Sequence, residues 1–165
     1  MNTAINRKLL RASLCVLFCL GFGLFANAQS TSWIGGTNTN WTTASNWTNG
    51  VPNSTTHAII GDANFTGPNQ PRANSGTLRC NDLTIGNGAS TCSLTIAKNV
   101  VVYGDVLIGA NGTIYHNSNK KITVQGDWTN NGNYSATNNS AKVYFSGTTT
   151  TLNGACRLSK KRMLR

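Results

Sequence analysis

The acidic residues available for chemistry are few and regularly placed. The chain carries four Asp residues and no Glu. Asp62, Asp82, Asp105 and Asp127 follow one another at steps of 20, 23 and 22 residues. Hydrolysis of a glycosidic bond uses two carboxyl groups that converge on one linkage, and a polysaccharide lyase uses clustered acids for calcium beside a basic residue. Here Glu is absent and the Asp residues fall one per repeat, with no second carboxylate beside any of them in the sequence. Asp82, Asp105 and Asp127 each precede a short alternating apolar stretch, where Asp commonly caps a turn through its own backbone; a ladder of calcium sites is the competing reading. His57 and His116 are far apart, and no Ser-His-Asp or Cys-His arrangement accompanies them. The residues therefore predict no catalytic site, no metal site and no cofactor.

Two other groups of residues are candidates for sites. Trp33, Trp41 and Trp47 cluster in SWIGGTNTNWTTASNW at 32–47. Indole faces stack on sugar rings while neighbouring Asn and Thr bond hydroxyls, so these three tryptophans are the best candidates for ligand-binding residues. The competing role is the core of a cap. Asn40 and Asn46 each open an N-W-T match to the glycosylation sequon, a match that an Asn- and Thr-rich chain also produces by chance. Cys80 and Cys92 are candidates for a disulfide that would close a short loop, which export permits; the competing reading makes them small buried residues. Their spacing and the lack of nearby His argue against zinc.

The elements that position these residues begin after a targeting segment. Arg7, Lys8 and Arg11 precede an apolar run at 12–25, and Ala26, Asn27 and Ala28 supply the small residues of a cleavage site. That order predicts a signal peptide at 1–28, because the run is shorter than the ~20 residues of a membrane span. The mature chain is expected to be secreted, extracellular or on the outer cell surface, with no membrane span after cleavage. The formal charge of +10 largely dissolves in the mature part. Six basic residues face four Asp between 29 and 156, a net of +2. With no basic face on the domain, nucleic acid is not an expected partner. The chain holds 23 Asn and 22 Thr, and its strand-forming Thr, Val, Ile and aromatic residues alternate with Asn-Gly turns. This pattern favours an all-β fold.

A repeat organises the strands. NDLTIG at 81–86 recurs as GDVLIG at 104–109 and more loosely as GDWTN at 126–130. Asn-Gly pairs at 87, 111, 131 and 153 keep a similar beat, at steps of 24, 20 and 22. A second strand stretch, LTI at 94–96, ITV at 122–124 and VYF at 143–145, lies between them. Each unit thus reads as a polar turn, a strand, an Asn-Gly turn and another strand. Alternation places Leu83, Ile85, Val106 and Ile108 on one face and Thr84 and Leu107 on the other. One unit cannot bury its apolar face alone, but stacked units can. The prediction is a right-handed parallel β-helix (β-solenoid) with coils of about 22 residues over 57–154, preceded by a Trp-rich cap at 29–56. A β-sandwich of Asn-Gly hairpins is the alternative, but only a solenoid requires one period sustained in phase.

The repeat motifs also carry a resemblance. GDWTNNG at 126–132, KVYFSGT at 142–148 and LNG at 152–154 resemble the G-x-W-x-N-x-G, V-x-F-x-G and I-x-G repeats of large secreted bacterial surface proteins. Many of those are exported by the type IX route and carry pectin-lyase-like parallel β-helices. Trp41, Asn46, Trp47, Pro52, Ile59 and Ile60 look like the segment that starts such β-helices. The resemblance implies a non-catalytic, adhesin-like scaffold or glycan-binding surface, with an extracellular polysaccharide or a host or cell surface as partner. The alternative is the N-terminal fragment of a polysaccharide-degrading β-helix enzyme whose catalytic coils lie elsewhere. The basic stretch at 155–165 departs from the repeats in composition, consistent with a truncated frame. No second Trp-rich cap follows Gly154, so self-association through an uncapped C-terminal coil is expected.

Overall fold

The alternation seen in the sequence is the alternation of a parallel β-helix. A computed structural model describes residues 29–154; the expected signal peptide at 1–28 and the basic tail at 155–165 lie outside the described residues. The first full coil comprises β2 (Thr56–Ile60), β3 (Arg72–Ala73) and β4 (Leu78–Cys80), preceded by β1 (Gln29–Ser32). The second comprises β5 (Leu83–Ile85), β6 (Cys92–Ile96) and β7 (Val100–Val102). The third comprises β8 (Val106–Ile108), β9 (Gly112–His116) and β10 (Lys121–Val124). The fourth comprises β11 (Trp128–Asn130), β12 (Asn133–Ala136) and β13 (Lys142–Phe145), and β14 (Leu152–Gly154) begins another turn.

Successive coils stack into three parallel sheets. The first sheet runs β1-β2-β5-β8-β11-β14, the second β3-β6-β9-β12 and the third β4-β7-β10-β13. Every strand-to-strand ladder is parallel, which excludes the hairpin-built sandwich. No helix of the described residues is long and apolar enough to cross a membrane.

Columns of equivalent residues fill the interior. Ala58, Leu83, Val106 and Trp128 stack in one column, and Ile60, Ile85, Ile108 and Asn130 in the next. The third sheet contributes Leu78, Val100, Ile122 and Val143. Thr84 and Leu107 face outward, as their alternation requires. A buried aliphatic side chain contributes roughly 1.5–3 kcal/mol, so the stacked columns provide what no single unit can.

Three details differ from the sequence reading. Each coil has three strands rather than two, and the stretches at 94–96, 122–124 and 143–145, read as one strand, fall in β6 of the second sheet and in β10 and β13 of the third. Leu94 is consequently not equivalent to Ile122 and Val143; it stacks on Ile114 in the second sheet, whereas Ile122 stacks on Val100 and Val143. The Asn-Gly pairs do not all align either, since Asn153 lies within β14 opposite Thr129 while Gly112 opens β9 opposite Cys92. The expected cap at 29–56 also supplies part of the solenoid, because β1 pairs in register with β2.

Candidate binding groove

The cap tryptophans sit inside the protein. Trp33, Trp41 and Trp47 are 0 %, 1 % and 3 % exposed and belong to the same core as the coil interiors. Trp47 packs edge-on against Trp33 and Trp41, at 5.1 and 4.7 Å between ring centroids. The Trp33 indole N–H donates to the Asn69 carbonyl at 2.7 Å and that of Trp47 to the Trp41 carbonyl at 2.8 Å. This corrects the expectation of a sugar-stacking site at these residues: with every indole face covered, the three rings build the cap core.

The cysteines also depart from the disulfide reading. Cys80 and Cys92 are free and buried. They end β4 and begin β6, in different sheets, and the Cys92 thiol donates instead to the Ile60 carbonyl at 3.3 Å. Burial pushes the Cys92 thiol up to about 11, against a lowering effect from the Gly86 backbone. Desolvation, with a smaller contribution from Asp82, pushes the Cys80 thiol up as well. Both are protonated at neutral pH and poor nucleophiles.

The aspartates form a ladder, though not the one expected. Oδ1 of Asp82 accepts the backbone N–H of Asp105 at 2.8 Å, and Oδ1 of Asp105 accepts that of Asp127 at 2.7 Å. Asp127 in turn accepts the N–H of Thr151 at 2.7 Å. Each carboxylate thus caps the next coil rather than its own turn. Asp62 is not part of this series: it follows β2, accepts the Ser32 hydroxyl at 2.6 Å and caps the N–H of Asn64 in its own turn at 3.0 Å. The two histidines are equally remote from one another in role. His57 bonds the Thr84 hydroxyl on the outer face at 2.9 Å. His116 is fully buried and its Nδ1 bonds the Tyr134 hydroxyl at 2.6 Å.

A different set of side chains forms the cleft. Where the second sheet turns into the third, Lys120, Lys121, Lys142, Asn99, Asn139 and Tyr144 line an open groove of about 520 Å³, with Asn119 and Ser140 at its turns. Compared with family models, curated proteins and solved structures, the chain matches none. The groove must therefore be read from its own chemistry. Parallel pairing places Lys121 beside Lys142 on adjacent strands. The Asn99 side chain accepts the Lys121 backbone N–H at 3.0 Å, which fixes the entry to β10. The Lys121 ammonium lies over the Tyr144 ring, 5.2 Å from its centroid, an attractive cation–π geometry. Asn119 adopts φ 57°, the left-handed region that Asn tolerates better than other non-glycine residues.

Sequence reasoning missed this groove, although a trace of it is visible there. Lys121 and Lys142 lie 21 residues apart, one coil step. The small net charge concealed them, because Asp82, Asp105 and Asp127 sit at a different corner, before β5, β8 and β11. A sum over the domain erases a local positive field.

Proposed function

We propose that this chain is an exported, non-catalytic β-solenoid module that binds glycan at the cell surface or in the extracellular space. The observation that carries the reading is the Lys121–Lys142–Tyr144 wall of the groove, which combines cationic, amide and aromatic groups on strands held in register by the coils. Sugar-binding surfaces need such a mixture: hydrogen-bonding groups for hydroxyls and an apolar ring face for the C–H surface. The chemistry favours binding over turnover, since the ladder aspartates serve as acceptors for backbone amides and His116 is sealed in the core. An adhesin-like role follows from the repeat motifs and from the expected signal peptide.

The test is to incubate the exported protein with a panel of soluble polysaccharides, measuring retardation of the protein and polymer length in the same samples. At least one polysaccharide should retard the protein while its length stays constant. Shortening of the polymer would establish an enzyme, and the absence of retardation by every polymer would remove the binding role.

A further inference from the structure

We infer that the groove takes an acidic polysaccharide of the polyuronate class, carrying one carboxylate per sugar ring. This rests on the glycan-binding reading above and specifies the glycan.

Charge is the first argument. Lys120, Lys121 and Lys142 line the cleft, and no aspartate does. The acidic ladder at the other corner has Oδ1 of each member engaged by the following coil, so it does not neutralise the lysines by contact. An anionic ligand enters a positive field that the protein leaves uncompensated.

Spacing is the second. Lys121 and Lys142 are register partners on neighbouring strands, which places their backbones ~4.8 Å apart. That is comparable with the advance of one sugar ring along a polysaccharide. A chain lying across the strands therefore meets one ammonium per ring. Tyr144, 37 % exposed, follows Lys142 on the same face of β13 and offers apolar surface beside the two charges.

Charge density separates a polyuronate from other polyanions. Three ammonium groups are interspersed with amides, and among the described residues no arginine lines the groove to grip phosphate or sulfate through a planar fork. Duplex nucleic acid presents a charge every ~1.7 Å of its axis, far denser than the groove can match.

The decisive experiment measures binding of the full exported chain to five probes at fixed ionic strength: alginate, its propylene glycol ester, dextran, dextran sulfate and duplex DNA. Alginate should bind about tenfold tighter than the ester, as expected from two exposed ion pairs. A Lys121→Gln, Lys142→Gln double variant should lose that advantage, with its affinities for alginate and for the ester becoming equal. Both lysines are exposed, so its melting temperature should match wild type. If it does not, a salt series on the wild-type chain replaces it, with alginate affinity falling steeply and ester affinity flat. Equal binding of ester and alginate would overturn the polyuronate assignment while leaving glycan binding intact. Tighter binding of DNA or dextran sulfate would overturn it in favour of a general polyanion surface. No binding to any polysaccharide would overturn both this inference and the function on which it rests.

Discussion

The carboxylate of Asp82 accepts the backbone N–H of Asp105, the residue that occupies its own position one coil later, at 2.8 Å. Asp105 repeats the arrangement toward Asp127. This relationship explains the Gly-Asp pairs of the repeat. A Cβ on Gly104 would collide with the Asp82 carboxylate, and one on Gly126 with that of Asp105. Glycine makes room for the side chain that arrives from the preceding coil.

Asp105→Ala should therefore cost about 1 kcal/mol, as loss of a comparable side-chain cap does at a helix start. Asp105→Asn retains an acceptor and should stay close to wild type, while Gly126→Ala should be worse than either. Urea unfolding of the three variants checks the order.

The columns of the first sheet give a sharper contrast. Val106 is buried between Leu83 and Trp128, so Val106→Asp should cost several kcal/mol and unfold the module. Thr84, on the outer face beside His57, should accept Asp with a change of less than about 1 kcal/mol. Similar melting temperatures for the two variants would contradict the register.

Much of this register was legible. Leu83, Ile85, Val106 and Ile108 alternate with outward residues, and a constant period forces equivalents to stack. The third strand was not, because Val100, Val101 and Val102 are apolar on both faces and β3 has only two residues. The tryptophans show a different limit: an indole suits a sugar platform and a cap core equally, and only packing decides which way it faces. The groove escaped because its lysines converge from successive coils, and the domain's near-neutral charge gave no hint that acids and bases were segregated.

Acid should weaken the fold through His116. Desolvation by burial lowers its pKa, while the nearby Lys120 backbone opposes that shift without forming a hydrogen bond to Nε2. A lowered native pKa means that the unfolded chain, near 6.5, takes up the proton first. Stability is thus retained above that value and lost as pH falls below it, with a slope approaching about 1.4 kcal/mol per pH unit until the native pKa is reached. His116→Gln should flatten this slope relative to wild type in denaturant titrations between pH 7 and pH 5. Parallel pH profiles would show that His116 does not titrate on unfolding.

The most direct test of the binding account is amide chemical-shift mapping of the isotopically labelled chain, titrated with an alginate oligosaccharide. Saturable shifts at Asn119, Lys121, Lys142 and Tyr144, with little change at Asp82, Asp105 and Asp127, are the predicted result. Shifts centred on the aspartate corner or on the Thr84, Leu107 and Thr129 face, or no saturable shift anywhere, would contradict it.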